Sequence, residues 1–559
     1  MSVIAEDNHI ALLQRQAKNS GNTILLKLPV ERGSDPCQEW NNITVAEFAA
    51  DVDRVAHDLT LEFKAKAIPL HSVVTLLYAE KLRNQDLVYA IAVGRAGHIP
   101  QMCTDRLAQS GIIFELMEKA GSKMLIYDPS LEHLTVNCPF PTLAFKPIES
   151  IEKPTNGNIN SVLPTIEDIT SGPDVAFIFL TSGSTSGSPK LVPLTHKVLG
   201  LFHKTRFRRL LDGKRGDAQD VLLARGNICH LPSTIGESSR WLILFCDLTI
   251  PHSNAEYLGC LYTGSCIVQP PRRDFMTEEL FNMVRVCGLN HLTTYGTYLT
   301  PYIQTARKDP ALLKLLQEMR SVSYDGVPLT VADDDWCFEN RISMIVSYVM
   351  ATVPGKPGRF IHPLPGISYR FDPVTDTSLQ VNNPTSPQLL EFVVLADSPQ
   401  IPPPHLVSSD GNFRTGDLFE KQPDGSYLYR GRDDDWIKSF DSDRTDAKAI
   451  EQKVLETCHD LVKECAVVGH LRPSPALFVV LHHDGSSMSE DSVKELMLRR
   501  IEDFNARQYI HEAITEKQLI FIINDGVLPR TMKGNVRRKV IEEKYLKELD
   551  AMYASVYSD

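Results

Sequence analysis

Residues 175–190 read Val-Ala-Phe-Ile-Phe-Leu-Thr-Ser-Gly-Ser-Thr-Ser-Gly-Ser-Pro-Lys, an apolar run followed by a loop of hydroxyls and glycines. The apolar run predicts a buried strand that ends where the loop begins. Backbone N–H groups and hydroxyls of such a loop can bind a phosphate chain. A Ser/Gly tract is also typical of a flexible linker, but the apolar segment 191–194 follows it directly. We therefore favour a phosphate-binding loop, although the Gly-x-x-x-x-Gly-Lys-Ser/Thr pattern of a Walker loop is absent.

The size and composition of the chain restrict its class. At 559 residues it is too long for one hydrophobic core, so two or more units are expected. The net charge of -12 argues against nucleic acid or an anionic membrane as a partner. The first residues do not resemble a signal peptide, and no apolar run approaches the ~20 residues that span a bilayer. The eleven cysteines show no metal-like spacing. A cytoplasmic protein is expected.

The order of apolar and polar segments predicts an α/β fold. Residues 45–63 and 85–97 have the pattern of helices, and residues 72–77 and 124–127 that of strands. Such alternation predicts a large N-terminal domain of layered α/β subdomains with largely parallel sheets. Prolines and short apolar runs at 354–404, such as 389–395, predict an added β-rich subdomain. A new α/β pattern begins after Gly431 and ends in a charged helix at 536–550. We expect a large domain at 1–430 and a small, mobile C-terminal α+β domain at 431–559.

Three further segments follow the loop in order. The first is Asp325-Gly-Val-Pro-Leu329, and the pair Ala351-Thr352 comes further along the chain. The second is Thr415-Gly-Asp417, which is followed by Gly431-Arg432. The third is Leu528-Pro-Arg-Thr-Met-Lys-Gly534. Together the four segments resemble the adenylate-forming superfamily of acyl-CoA synthetases, peptide-synthetase adenylation domains and luciferases, over essentially the whole chain.

The resemblance implies an enzyme that joins a carboxylic acid to the α-phosphate of ATP and releases pyrophosphate. It assigns the following residues of the loop to the ATP phosphates: Thr181, Ser182, Gly183, Ser184, Ser186, Gly187 and Lys190. It assigns the following residues to the adenosine part and its α-phosphate: Asp325, Gly326, Val327, Ala351, Asp417, Tyr429 and Arg432. It assigns Thr185 and Thr352 to catalysis, and the magnesium ion is expected to arrive with ATP. Taken alone, Thr-Gly-Asp would be a simple turn.

The resemblance also implies a moving C-terminal domain. Asp434 matches the position at which the small domain of similar enzymes pivots, so that a thiol can attack the acyl-adenylate. The alternative interpretation of this segment is an acidic surface loop. The family's last motif usually reads Gly-Lys, but Asn535 follows Gly534 here and a lysine precedes it. This arrangement resembles the adenylation domains of fungal adenylate-forming reductases, including carboxylic acid reductases, so Lys533 is the candidate catalytic cation. Its alternative is a solvated lysine beside a turn.

A second departure from the family pattern concerns the metal. Val353 stands where similar enzymes carry a glutamate that helps to hold Mg²⁺, and Val349 and Met350 replace the preceding aromatic-glycine pair. Loss of one electrostatic contact commonly costs ~10²–10³ in rate. A degenerate protein that binds nucleotide or acyl groups without turnover is therefore one alternative.

The segment 230–236 predicts part of the acid pocket. His230, Ser233 and Thr234 are its candidate lining residues, and a structural histidine is the alternative for the first of them. No aspartate stands where amino-acid-activating relatives clamp the ammonium group, so an acid without an α-amino group is expected. The expected acceptor is the phosphopantetheine thiol of a carrier domain, in cis or in trans. A stand-alone acyl- or aryl-CoA ligase that uses coenzyme A is the alternative.

Overall fold

A computed structural model gives the fold of the chain. The structure describes the following residues: 8–30, 37–79, 84–105, 107, 109–153, 162–181, 190–202, 219–223, 252–270, 275–325, 329, 331–346, 350–353, 355–363, 368–373, 389–398, 401, 407–432, 436–439, 444–482, 488–508, 512–523, 528–529 and 538–557.

The first part of the described chain alternates helices and strands. Its strands are β1 (Ile24–Pro29), β2 (Trp40–Thr44), β3 (Val73–Tyr78), β4 (Ile99–Thr104), β5 (Ser122–Tyr127), β6 (Thr142–Ala144), β7 (Phe177–Thr181), β8 (Lys190–Leu194), β9 (Val221–Leu223), β10 (Cys266–Val268), β11 (His291–Tyr295), β12 (Ser321–Asp325) and β13 (Met344–Val346). Its α-helices are α1 (His9–Ser20), α2 (Val45–Ala65), α3 (Asn84–Arg95), α4 (Ser110–Ala120), α5 (Ile166–Thr170), α6 (His196–Phe202), α7 (His252–Thr263), α8 (Thr277–Cys287), α9 (Gly296–Ala306), α10 (Pro310–Glu318) and α11 (Val331–Glu339).

These strands form two sheets. One has six strands in the order β6-β5-β3-β4-β7-β8, and all its pairs are parallel except β7 with β8. The other has seven strands in the order β13-β12-β11-β9-β10-β1-β2, and only β1 with β2 is antiparallel. Parallel strands covered by helices bury both faces, and five of the six residues of β3 are accordingly buried.

Helix α2 shows how the sequence sets these elements. It begins at a capping box in which the Thr44 hydroxyl accepts from the Glu47 N–H and the Glu47 carboxylate accepts from the Thr44 N–H. This exchange satisfies two backbone donors that a helix start leaves unpaired. Its apolar residues recur at helical spacing and are buried in an apolar cluster shared with α1 and α3, as Phe48, Val52, Val55, Leu59 and Phe63 illustrate.

A third sheet is antiparallel. Its strands are β14 (Met350–Thr352), β15 (Phe360–Pro363), β16 (Tyr369–Pro373), β17 (Leu389–Val394), β18 (Phe413–Lys421) and β19 (Tyr427–Arg432). They lie in the order β14-β15-β19-β18-β17-β16. One face carries an aromatic cluster in which Phe371 stacks on Tyr427 at 3.8 Å between ring centroids and Phe392 is fully buried.

The C-terminal region, residues 436–557, has a core of its own. Its strands are β20 (Trp436–Lys438), β21 (Arg444–Asp446), β22 (Val462–Val468), β23 (Ala476–Leu481) and β24 (Ile520–Ile522). Its helices are α12 (Ala447–Thr457), α13 (Glu490–Arg500), α14 (Glu502–Asn505), α15 (Arg538–Lys544) and α16 (Leu546–Val556). Buried side chains of the sheet β22-β23-β24 and of these helices form one apolar cluster. An ion pair joins Arg507 of this region to Glu115 of α4, with 3.0 Å between Nη1 and Oε2.

The predicted α/β fold with largely parallel sheets is confirmed, and so are the helices and strands predicted within 45–128 and the strand near 389–395. The single terminal helix predicted at 536–550 is wrong. Two helices meet at Tyr545, whose ring packs against Phe478 of the C-terminal core at 5.2 Å. The boundary at residue 430 stays a prediction, and β19 runs across it. No described helix combines the length and apolar character that crossing a bilayer requires.

Candidate active site

The predicted phosphate loop connects two paired strands. Thr181 ends β7 and lies opposite Lys190, which begins β8. Paired residues of antiparallel strands have Cα atoms about 5 Å apart, so both ends of the loop are fixed. Because β7 runs parallel to β4, the loop leaves the sheet at the carboxyl ends of its parallel strands. Open α/β sheets bind ligands at that edge. Residues Ser182, Gly183, Ser184, Thr185, Ser186 and Gly187 lie outside the described residues.

The segment 325–329, which the resemblance predicts to be an adenine-contacting turn, also begins at the carboxyl end of a strand. Asp325 is the last residue of β12 and pairs with Tyr295, the last residue of β11. Gly326 and Val327 lie outside the described part of the chain, and α11 begins at Val331. Burial raises the pKa of the neighbouring Tyr324 hydroxyl, and the negative charge of Asp334 in α11 adds to that increase. The phenol therefore stays neutral at physiological pH.

The third sheet brings together two further groups of predicted site residues. Ala351 and Thr352 lie in β14 opposite His362 and Ile361 of β15. Asp417 of β18 lies opposite Arg432 of β19 in the same sheet. Segments that lie far apart in the chain are thus parts of one sheet.

Asp417 and Tyr429 form a polar pair on this sheet. The Tyr429 hydroxyl donates to Asp417 Oδ1 at 3.3 Å, and its ring meets Phe419 edge-on at 5.4 Å between centroids. Only 4 % of the Asp417 surface is exposed. Thr415 Oγ1 accepts from the Asp417 N–H at 3.1 Å. The Thr-Gly-Asp segment is part of β18 rather than a turn. A carboxylate and a hydroxyl held in this way can accept from and donate to the two hydroxyls of a ribose.

Sequence reasoning missed Thr415 as a site residue. A threonine two residues before a buried aspartate can bond to the backbone of that aspartate, and this signal was available in the sequence. The packing of Phe419 under Tyr429 carried no such signal, because it depends on the pairing of β18 with β19.

The structure does not describe Lys533, Asp434, His230, Ser233 or Thr234. It does describe Arg538, five residues after Lys533. Arg538 at the start of α15 makes an ion pair with Glu451 of α12 and donates to the Val467 carbonyl at 3.2 Å. The Glu451 carboxylate also accepts from the Val467 N–H at 2.7 Å. Arg538 is therefore fixed to the C-terminal core.

The described residues include no group of three or more His, Cys, Asp or Glu side chains that could hold a metal ion. Val353 has no ligand atom in its side chain, and its N–H donates to the Phe360 carbonyl at 2.9 Å.

The comparisons with known proteins agree with this arrangement. The family model "AMP-binding enzyme" matches residues 13–350, and the model "AMP-binding enzyme C-terminal domain" matches residues 434–557. The chain is 60 % identical over 541 residues to the "AMP-binding domain-containing enzyme iboA" of Amanita muscaria, covering 95 % of this chain and 100 % of that one.

More distant relatives are longer. A carboxylic acid reductase of Neurospora crassa is 22 % identical over 97 % of this chain, and the adenylate-forming reductase Nps11 of Serpula lacrymans is 22 % identical over 92 %. The matches span 50 % and 47 % of those two proteins, respectively.

One similar solved structure is the A-PCP didomain of the carboxylic acid reductase of Segniliparus rugosus in complex with AMP. Its TM-score is 0.64 at 12 % identity, over 100 % of this chain and 85 % of that one. The o-succinylbenzoate CoA synthetase of Bacillus subtilis has a TM-score of 0.61 at 16 % identity, over 95 % and 98 %. These likenesses concern the fold.

Proposed function

This chain belongs to the AMP-binding enzyme family, and we propose that it activates a carboxylic acid as acyl-AMP and then passes the acyl group to a phosphopantetheine thiol. The observation that carries the proposal is the arrangement of the polar loops. The phosphate loop and the adenine-contacting turn both leave parallel sheets at carboxyl ends of strands, and Asp417 lies buried beside Tyr429.

In the first step a carboxylate oxygen of the acid attacks the α-phosphorus of ATP. The bond from that phosphorus to the bridging oxygen breaks, and pyrophosphate leaves with the electron pair. Hydroxyls and N–H groups of the loop would stabilise the leaving phosphates, since preorganised donors lower the energy of developing charge. Asp417 and Tyr429 would hold the ribose, and Lys533 would lie between the two reacting anions.

In the second step a thiolate attacks the acyl carbon and the carbon–sulfur bond forms. The bond from the acyl carbon to the phosphate oxygen breaks, and AMP leaves with the electron pair. A carrier-bound thiol is favoured because the chain resembles reductases and the A-PCP didomain. Free coenzyme A is the second candidate, since the solved structures with the same fold include CoA ligases.

Acid-dependent exchange of labelled pyrophosphate into ATP tests the first step. The panel should contain matched acids with and without an α-amino group, because we expect the active ones to lack it. A related adenylation domain assayed alongside provides the positive control. Binding of ATP by calorimetry without exchange for any acid would contradict turnover and favour the degenerate binding protein.

The acceptor is tested by the rate of AMP release. With the active acid, the rate is compared without thiol, with coenzyme A and with a phosphopantetheinylated carrier domain of a related reductase. Acceleration by the carrier alone supports the proposal, and acceleration by coenzyme A alone supports the ligase.

Lys533→Ala tests the assigned cation. We expect exchange to fall by about 10²–10³-fold, as for other losses of one stabilising group in a transition state. Asn535→Ala is the matched control in the same segment and should retain the parent rate. Equal exchange by Lys533→Ala and the parent protein would overturn the assignment.

A further inference from the structure

Asp334 is a buried carboxylate that lies outside the predicted site residues. It belongs to the first half of α11, and 1 % of its surface is exposed. Its oxygens accept from the N–H of Gly358 at 3.0 Å, from the N–H of Arg359 at 3.2 Å and from Arg359 Nη1 at 2.9 Å. Two of these three hydrogen-bond donors are therefore backbone groups of one segment, residues 355–359.

The Asp334 contact joins two segments, each of which lies beside residues that the resemblance assigns to ATP binding. Helix α11 begins at Val331, shortly after the adenine-contacting turn at 325–329. The segment 355–359 lies between β14, which carries Thr352, and β15. The helix and this segment are apart in sequence, and the Asp334 carboxylate links them.

Both partners of the contact are fixed by further bonds. The neighbouring Asp333 accepts from Gln304 of α9 and from Arg307, just after that helix, at 2.8 Å each. On the other side, the Val353 N–H donates to the Phe360 carbonyl at 2.9 Å, and Gly355 adopts a φ of 77° that favours glycine. The link through Asp334 therefore connects two rigid parts.

The segment 355–359 also reaches the hairpin that carries Asp417. Lys356 makes an ion pair with Asp424 and lies 3.4 Å from Ser426 Oγ, in the turn between β18 and β19. This ion pair lowers the pKa of the Asp424 carboxyl well below its usual range. The segment 355–359 thus contacts α11, which follows the adenine-contacting turn, and the turn between β18 and β19, which carry Asp417 and Tyr429.

We propose that Asp334 is a positioning residue for nucleotide binding, which holds the first half of α11 and the segment 355–359 beside the Thr352 strand in one fixed relation. The proposal rests on the proposed function only in its choice of ligand. A link of this kind acts on the affinity for ATP, whether or not the acyl group is later transferred.

The test replaces Asp334 with asparagine and measures ATP binding by calorimetry with MgCl₂ and no acid. In Asp334→Asn the amide cannot accept from all three donors, and a buried donor left unsatisfied corresponds to about a tenfold loss. We expect the Kd for ATP to rise about tenfold at a temperature where the variant is fully folded. Asp335→Asn is the matched control, because Asp335 contacts the same Arg359 guanidinium at 2.8 Å but has 42 % of its side chain exposed. It should change the Kd less than about twofold, as ion pairs open to solvent contribute little.

A lower melting temperature with an unchanged Kd in Asp334→Asn would assign the residue to stability alone and overturn the proposal. If Asp334→Asn fails to fold, Arg359→Gln removes one of the three bonds from the other side, and an unchanged Kd there would equally overturn it. Failure of the proposed function has a different signature. A parent protein that binds ATP but shows no exchange contradicts acid activation, while the comparison of Kd values still decides the role of Asp334.

Discussion

The six-stranded parallel sheet and the antiparallel sheet β14–β19 are stabilised in different ways. The interior of the first is mostly apolar, as the full burial of Phe177, Phe179 and Val74 shows. Buried polar residues of this sheet pair with one another, as Thr75 does with Gln101 and Ser122. The second combines a small aromatic cluster with cross-strand ion pairs, among them Arg414 with Glu391 at 2.9 Å and with Asp372 at 3.2 Å. The comparison teaches that changes in the apolar core of the first sheet should affect stability, and that changes at the buried polar pair of the second, Asp417 with Tyr429, should affect ligand binding.

The largest expected effect is on the parallel sheet. Phe177 is fully buried in β7 and stacks on His9 and Phe179, with centroids at 5.0 and 5.6 Å. Phe177→Ala should lower the free energy of unfolding by about 3–5 kcal/mol, because it leaves a cavity in a close-packed core. Urea unfolding measures this change. Leu61→Ala, at an exposed position, is the control, and an equal loss in both variants would refute a special role for the sheet core.

The next effect concerns the buried carboxylate of the antiparallel sheet. Asp417→Asn keeps the volume of the side chain but removes its charge, so we expect the KM for ATP to rise about 10- to 100-fold. The midpoint of unfolding should change far less than in Phe177→Ala. Tyr429→Phe removes only the hydroxyl that contacts Asp417 and should have a smaller effect of the same kind. An unchanged KM for ATP in both variants would contradict the expectation that changes at this polar pair affect ligand binding.

A third prediction concerns acid and the first sheet. Burial lowers the pKa of His98, just before β4, from 6.5 to about 4. The folded protein therefore holds this ring neutral, whereas the unfolded chain takes up a proton below pH 6.5, so stability falls as the pH falls from 6.5 towards 4. At pH 5.0 this contribution amounts to about 1–2 kcal/mol. His98→Gln should lose less stability than the parent between pH 7.5 and 5.0, and parallel losses in urea unfolding would contradict the prediction.

The smallest effect belongs to the surface of the antiparallel sheet. Arg414 is half-exposed and contacts two carboxylates of neighbouring strands. Arg414→Gln should lower the free energy of unfolding by about 0.5 kcal/mol at low salt and by nothing measurable at about 1 M salt. A loss above about 1 kcal/mol, or one that salt leaves unchanged, would mean that these ion pairs stabilise the sheet more than exposed ion pairs do.

The pattern of apolar residues was sufficient to predict those helices and strands whose own sequence shows which side chains are buried. The spacing of apolar side chains predicted the start of α2 at Val45, and the apolar run before the phosphate loop predicted β7. The pairing of strands was beyond such reasoning. β1 pairs with β10, which lies in a distant part of the chain, and no periodicity within either strand reports that contact.

The same limit applies to the candidate site. The motif spacings predicted which segments approach the nucleotide, and those assignments stay predictions for the residues that the structure does not describe. They gave no sign of Asp334, because a carboxylate in an acidic run such as 333–335 reads as a solvated helix start. Only the packing of the segment 355–359 against α11 distinguishes it from its half-exposed neighbour Asp335.

The bond between Arg507 and Glu115 makes the buffer a variable in any study of this chain. Its two side chains are 47 % and 34 % exposed, so it contributes about 0–1 kcal/mol and weakens as ions accumulate around it. Charges are felt over roughly 30 Å in 0.01 M salt but only about 3 Å in 1 M salt. In assays at those two salt concentrations, the ion pair between α4 and the C-terminal region would differ in strength. Rates should therefore be compared only at matched ionic strength.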